Sequence, residues 1–422
     1  MNTLFLAILF LVLALVFIVG LHLYLWLRLV RDTTNKRTWP RRLGTTGTIV
    51  LPLVTIAAMT TPQLSYPFWI KQLVALPGYL WMPLCLYLVL VLLVIEPVRW
   101  WLLRQVSRDE MAHATVMAAL AGKDSPTSQP NSHEDADSST AAFPRGRTRR
   151  EIISRSLALG AGVAAVSTVG YGTWEALRTP RMLHVEVTVP KLPEAADGYR
   201  LAIVSDLHIS AVRGRRQCQR IVEAVNGAEA DAITILGDIV DGTVAELATA
   251  AEPLAELTAP DGVFFVTGNH EYYVGADPWV EHLRGLGLTP LENERVELTG
   301  FDLAGINDVA ADSQGQPGDE GPDFAAALAD REPNRAVVLM SHQPIVIDEA
   351  QEWDVDLLLA GHTHGGQIWP FTYVADLANP TLAGLEAHGD TQLYVTRGAG
   401  TWGPPVRVGA PSDITVVTLR SE

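Results

Sequence analysis

Five short apolar runs in the C-terminal half of this chain each stop at an aspartate, an asparagine or a histidine. Residues 199–205 lead into Asp206-Leu207-His208, 232–236 into Gly237-Asp238, and 263–267 into Gly268-Asn269-His270. Residues 336–341 lead into His342, and 355–360 into Gly361-His362-Thr363-His364-Gly365-Gly366-Gln367. Runs of this length, bounded by turn residues, read as buried β-strands. Helix-like stretches at 215–226, 244–257, 278–286 and 324–330 lie between several of them. Shorter strands are expected around 296–306, 393–396 and 414–419. The alternation predicts an α/β domain from residue 183 onward. No fixed-period repeat is present, which excludes a solenoid.

In open α/β sheets, ligands bind outside the carboxyl ends of the strands. A sheet built from these runs gathers Asp206, His208, Asp238, Asn269, His342, His362 and His364 at one edge. Asp and Asn end many strands, so any one of these positions is ordinary on its own. Five successive strand ends with the same chemistry point to a site. His362 and His364, one residue apart in a glycine-rich turn, present two imidazoles to one small volume, as metal ligands do. Only two cysteines occur, Cys85 and Cys218, too few for a disulfide framework or a thiolate cage. Any metal must then be held by oxygen and nitrogen. The formal net charge of −16 argues against a general nucleic-acid binder, and no binding to nucleic-acid duplexes is expected.

The N-terminal part has a different character. Residues 4–27 are almost uninterruptedly apolar, long enough to cross a hydrocarbon core of about 30 Å as a helix. There is no basic segment before them, which argues against a cleaved signal peptide. Further candidate spans cover about 45–61, interrupted by Pro52, then 73–95, and a Gly- and Ala-rich run at 157–174. For the 45–61 run, an interfacial or buried helix is the alternative. Basic clusters follow the first span (Arg28, Arg31, Lys36, Arg37, Arg41, Arg42) and precede the fourth (Arg145, Arg147, Arg149, Arg150). The connection between spans two and three has only Lys71. The positive-inside rule then puts both basic linkers in the cytoplasm and everything after Trp174 outside it. The expected organisation is three transmembrane helices within 1–122, a disordered polar and basic linker at 123–150, a fourth transmembrane helix at 151–178, and the α/β domain at 183–422. The paired arginines in Thr148-Arg149-Arg150-Glu151-Ile152-Ile153 read either as a twin-arginine export signal or as a plain positive-inside anchor.

The series DLH, GDIVD, GNHE, SH and GHTHGG, in that order from Asp206 to Gly366, resembles the calcineurin-like metallophosphoesterases. The continuation Gln367-Ile368-Trp369-Pro370-Phe371, and Arg397-Gly398-Ala399-Gly400-Thr401 further on, resemble the membrane-anchored bacterial branch of that superfamily. The resemblance covers the C-terminal half. It implies a four-layer α/β-sandwich metallophosphoesterase domain preceded by an all-α transmembrane region, in a multi-pass bacterial cell-membrane protein whose catalytic domain is extracytoplasmic. It also implies two divalent metal ions, with Mn, Fe and Zn all compatible with such ligands. One would take Asp206, His208, Asp238 and His364; the other Asp238, Asn269, His342 and His362, with the Asp238 carboxylate bridging. Two cations about 3.5–4 Å apart suit attack of a bridging hydroxide on a phosphate mono- or diester or a pyrophosphate bond.

His270 resembles the family histidine that touches the phosphate or protonates the leaving group, with a ligand-supporting role as the alternative. Asp241 and Glu271 read as partners that orient ligands. Tyr272 and Tyr273 either line the cleft or pack beside it. The segment 307–321 carries no clear substrate signal. The apolar stretch 369–392 reads equally as a membrane- or lipid-facing loop and as a cover on the sheet. The implied substrate is a phosphoester, with membrane lipids and nucleotide-linked lipid precursors among the candidates. A non-catalytic metal-binding sensor or scaffold and a protein phosphatase are the competing readings.

Overall fold

The computed structural model describes residues 3–64, 66–121, 148–316 and 319–422. The expected polar linker, at 123–140, and Arg145 and Arg147 lie outside the described residues. Four helices among the described residues are long and apolar enough to cross a membrane. They are α1 (Thr3–Leu25), continued by a π-helical turn at Trp26–Arg31, α2 (Trp39–Thr60), α3 (Phe68–Ala121) and α4 (Arg149–Leu177). Pro52 lies inside α2 without ending it. Helix α3 runs for 54 residues, about 80 Å at the helical rise. It therefore continues as helix past the expected span at 73–95 and through Arg99, Arg104 and Arg108.

The chain divides into two compact units, Met1–Leu51 with Leu84–Ser167, and Pro52–Pro83 with Thr168–Glu422. In the first, Arg28 meets Glu96 at 2.6 Å and Asp32 at 3.1 Å, while Arg99 meets Asp32 at 2.8 Å and Glu96 at 3.1 Å. Two cations and two anions thus neutralise one another where α1 and its π-helical turn meet α3.

The second unit holds the α/β domain. Its strands are β1 (Arg181–Thr188), β2 (Arg200–Val204), β3 (Ala232–Leu236), β4 (Val263–Val266), β5 (Thr289–Pro290), β6 (Glu294–Leu298), β7 (Phe301–Gly305), β8 (Ala336–Met340), β9 (Leu357–Ala360), β10 (Gly384–His388), β11 (Thr391–Val395) and β12 (Asp413–Arg420). They form two six-stranded sheets, ordered β1-β12-β2-β3-β4-β5 and β10-β11-β9-β8-β7-β6. Strands β2 to β5 run parallel, as do β7, β8, β9 and β11. The central strands read as continuous apolar runs because both of their faces are covered.

Alternation sorts their side chains into three cores. Leu201, Ile203, Leu236 and Val266 of one sheet meet Leu303, Val338, Met340 and Leu359 of the other in the layer between them. Ala202, Val204, Ile233 and Phe265 face outward onto α5 (Arg215–Asn226), α6 (Val244–Ala251), and α8 (Ala276–Gly285), which follows the short α7 (Asn269–Val274). Buried Cys218 and Trp279 belong to that packing. On the far side, Ala304, Leu339 and Leu358 pack against Phe324 and Leu328 of one short helix (Phe324–Leu328) and Ile347 and Ala350 of another (Ile347–Glu352). The order helix, sheet, sheet, helix is the expected four-layer α/β sandwich.

The loops after β3 and β4 are tied together by one buried side chain. The Glu271 carboxylate accepts the backbone N–H groups of Asp238 at 2.9 Å, Ile239 at 2.8 Å, Val240 at 3.2 Å and Gly268 at 2.7 Å. Burial, with Asp238 adding to it, lifts its pKa to about 7. Replacing Glu271 by Ala leaves four buried donors without an acceptor, each loss worth about 1–3 kcal/mol before relaxation. Glu271→Ala should therefore lower the thermal unfolding midpoint of the detergent-solubilised protein sharply, and Glu271→Gln by less. An Ala variant that melts with the wild type would show that Glu271 does not hold these loops.

Candidate metal centre

The two sheets stack face to face, and the loops at the carboxyl ends of their parallel strands converge. Asp206 and His208 follow β2, Asp238 follows β3, Asn269 opens α7 after β4, His342 follows β8, and His362 and His364 follow β9. All seven side chains predicted from the sequence are brought together. Asp206, His208, Asp238 and His342 are essentially fully buried, and Asn269 and His364 nearly so. Five of the seven, Asp206, His208, Asp238, His362 and His364, have positive φ, between 47° and 69°. Non-glycine residues seldom adopt that conformation, and where they cluster the surroundings must enforce it. Gly361 shows how tight the enforcement is: a Cβ there would collide with Ser205 Oγ and lie 2.6 Å from Asp206 Oδ2.

The contacts form two groups. In the first, His208 Nε2 lies 3.0 Å from His364 Nε2, and Asp206 Oδ1 lies 3.2 Å from His364 Nε2. In the second, Asn269 Oδ1 lies 3.0 Å from both His342 Nε2 and His362 Nδ1, and those two nitrogens are 3.2 Å apart. Asp238 Oδ2 stands between the groups, 3.6 Å from His208 Nε2 and 3.2 Å from His342 Nε2.

The outer partners decide which ring atoms face inward. His208 Nδ1 donates to Asp241 Oδ1 at 2.7 Å, and His342 Nδ1 donates to the Leu236 carbonyl at 2.7 Å. Each Nε2 is thereby left facing the other ligand atoms. His364 differs, since its Nδ1 lies 3.2 Å from Arg407 Nη2, which can only donate. Arg407 is fully buried and also donates to the carbonyls of His364, Arg397, Gly398, Gly400 and Ala410. It locks the turn carrying His364 to the segment that follows β11.

Electrostatics state the same demand. Burial opposes ionisation of Asp206, but His364 and His342 outweigh it and hold the carboxyl far below its usual range. Asp238 is depressed likewise, chiefly by His342 and His270 against its own burial. Burial opposes a charge on His342, yet Asp238 beside it lifts the pKa well above that of a free histidine. Burial dominates for His362 and His364, lowering both to about 4, so each is a neutral imidazole at pH 7. Asp206 Oδ1 is buried and accepts no hydrogen bond of good geometry. An unmet carboxylate oxygen among inward-facing imidazole nitrogens fits a cation. Asp206, His208 and His364 could hold one, and Asp238, His342 and His362 another.

His270 stands at the edge of this cluster. Its backbone N–H donates to Asp238 Oδ1 at 2.9 Å, and its Nδ1 lies 2.8 Å from Asp241 Oδ1. Its Nε2 is 4.0 Å from Asp238 Oδ2. Burial works against the imidazolium, but Asp238 and Asp241 raise the pKa to about 9. Asp241 thus orients both His208 and His270, as the sequence suggests. Tyr272 is buried with its hydroxyl 3.0 Å from Thr267 Oγ1, a packing role, whereas half-exposed Tyr273 stands against His270 with ring centroids 5.2 Å apart.

Two residues near the site escape the sequence reading. Asp308 is buried beyond the end of β7, receives Gln343 Nε2 at 2.9 Å, and has one oxygen without a partner. Its signal is present, since Phe301-Asp302-Leu303-Ala304-Gly305-Ile306-Asn307-Asp308 is another apolar run ending in polar residues. Arg407 has no such signal, because nothing in the local sequence marks an arginine as buried.

The family model for the calcineurin-like phosphoesterase domain matches residues 199–366. A transmembrane protein with metallophosphoesterase domain from Danio rerio is 37% identical over 291 residues, 65% of this chain and 66% of that protein. An uncharacterized metallophosphoesterase of Helicobacter pylori strain J99 is 36% identical over 274 residues, 64% of this chain and 72% of its own length. Among solved structures, a dimetal phosphatase from Danio rerio overlaps 53% of this chain and 93% of its own, at 13% identity and a TM-score of 0.36. The shared sequence over most of these relatives' length places the chain in the calcineurin-like metallophosphoesterase family.

Proposed function

We propose that this protein is a membrane-integral, metal-dependent phosphoesterase that hydrolyses a phosphate mono- or diester or a pyrophosphate bond. The observation that carries this reading is the pair of ligand groups sharing Asp238 Oδ2, with Asp206 Oδ1 left unmet beside them. Asp206, His208, Asp238 and His364 would hold one divalent cation, and Asp238, Asn269, His342 and His362 a second, with Mn, Fe and Zn all suited to the donor set. When bound, two such ions supply Lewis acidity toward phosphoryl oxygens and lower the pKa of water.

The chain's own residues supply the rest. The imidazoles and carboxylates fix the geometry in a buried setting where little reorganisation is needed. Asp241 holds His270 Nδ1, so the proton available for transfer sits on Nε2, facing the cluster. The raised pKa keeps that proton in place at neutral pH. His270 is then the acid that protonates the departing oxygen.

The catalytic domain belongs on the extracytoplasmic side of a bacterial cell membrane, 1–122 and 151–178 providing four crossings, and 183–422 the enzyme. Charge asymmetry supports this, and so does the grouping of the α2–α3 connection and the end of α4 with the domain. Lys71, in the first turn of α3, pairs with Glu246 of α6 at 2.7 Å, and the Gly172 carbonyl of α4 accepts the Arg407 backbone N–H at 2.9 Å. A site so placed would meet envelope lipids, lipid-linked nucleotides or exported phosphoesters.

Asp238→Asn should leave the fold intact but remove nearly all turnover and disturb loading at both cation positions. Near-normal activity with two bound ions would overturn the assignment. His270→Ala should keep its metal content and lose about 10²–10⁴-fold in turnover, less for esters with good leaving groups. Because the acid form is the working one, wild-type kcat/KM should fall as pH rises through the His270 pKa. That limb should lie at or below about 9, since cations nearby favour the neutral ring, and should vanish in His270→Ala. A reporter that folds only in the cytoplasm, fused after Glu422, should stay silent; strong signal would reverse the orientation and exclude envelope substrates.

A further inference from the structure

The catalytic histidine shares a pocket with the N-terminal helices. A cavity of about 100 Å³ opens beside His270 and is walled by Val274 and Trp402 on one side and by Met59, Tyr79 and Met82 on the other. All of these belong to one compact unit. The wall is apolar, with His270 and Asp241 as its ionisable members apart from the Tyr79 and Tyr273 phenols. Tyr79 turns its hydroxyl to the Ala58 carbonyl at 3.0 Å.

Depth along α3 gives the pocket its chemistry. Residues 72–95 carry no charged side chain, and Lys71 at their edge is paired with Glu246. Tyr79 and Met82 lie about 10–15 Å along the helix axis from Gln72, which opens that uncharged stretch. If α3 crosses a bilayer, this wall reaches hydrocarbon depth.

We infer that this pocket receives the leaving group, and that the ester cleaved here carries an aliphatic chain on its departing oxygen. The inference rests on the phosphoesterase reading above and narrows it to a substrate class. Water adds to phosphorus, the P–O bond to the alcohol breaks, and the proton on His270 Nε2 passes to the alcohol oxygen. The proton released by the water goes to the phosphate product or to solvent. The group entering past His270 is the one that receives its proton, so it is the group that departs.

The test uses the full chain, metal-loaded, in nanodiscs, with 4-alkylphenyl phosphates and their methyl diesters from methyl to decyl. kcat/KM should rise about 3–4-fold per added methylene until the pocket is full, then level off. Met82→Trp, which fills the space, should flatten the series, while Val94→Trp on the exposed face of the same helix should keep the slope. A decylphosphonate with a terminal diazirine should label Met59, Tyr79 or Met82 on irradiation. Brisk hydrolysis independent of chain length, or labelling confined to the exposed helix Phe371–Ala378, would overturn the pocket assignment and leave the phosphoesterase reading standing. No turnover of any member would overturn the pocket assignment, and if an alkyl pyrophosphate ester also stays intact the phosphoesterase reading falls with it.

Discussion

Lone pairs that face one another across a buried space must be met by positive charge, and this site is built around that demand. His208 and His364 present their Nε2 atoms 3.0 Å apart, with Asp206 Oδ1 beside them. His342 and His362 close to 3.2 Å about Asn269. Outside a protein such groups would separate and hydrate. Here the strands hold them, and Asp241, Leu236 and Arg407 hold the backs of three of the rings. The strain is visible in the five left-handed backbones among the seven residues. Strand ends can sustain it because each strand beneath is buried on both faces in one of three apolar cores.

That division explains what the sequence discloses. Strands β2, β3, β4, β8 and β9 are legible because central parallel strands are uninterrupted apolar runs, and their polar ends stand out. Helix α5 is legible at both ends because one face is apolar and a glycine flanks each end. By contrast β10, Gly384–His388, is an edge strand with exposed residues, and its Gly-Leu-Glu-Ala-His has no alternating pattern. Strand β1, at the edge of the other sheet, has one buried residue, Val187. The apolar stretch 369–392 resolves into the exposed helix Phe371–Ala378 and β10, none of whose residues is buried, so it is no packed cover on the sheet.

The ligand residues are readable because chemistry and position coincide at strand ends. Their supports are less so. Asp241 and Glu271 stand within three residues of the predicted ligands Asp238 and Asn269, so they are open to suspicion, although most of the groups they hold lie about 30 residues away, imidazoles for one and backbone for the other. Arg407 acts on His364 from 43 residues away, through packing that no local pattern encodes. Lys71 is similar. In the sequence it is the lone charge of a short connection; in the fold it is buried and paired across to α6.

These distant supports share a direction: they run from the site toward the apolar helices. Arg407 faces His364 with its guanidinium and binds Gly172 of α4 through its backbone. Arg213, also buried, donates to the Ala176 carbonyl of α4 and to Thr401 in the segment beside His270. The end of α2 and the start of α3 contribute both a buried ion pair, through Lys71, and part of the pocket at His270, through Met59, Tyr79 and Met82. A mere tether needs none of this, since a flexible linker would hold a domain near a membrane equally well. Hydrogen bonds and an ion pair buried there instead fix the orientation of the catalytic residues relative to the start of α3 and the end of α4, which belong to the same compact unit. Fixed orientation matters where substrate must arrive from a defined direction, and here the direction that is walled and apolar is the one that leads past His270.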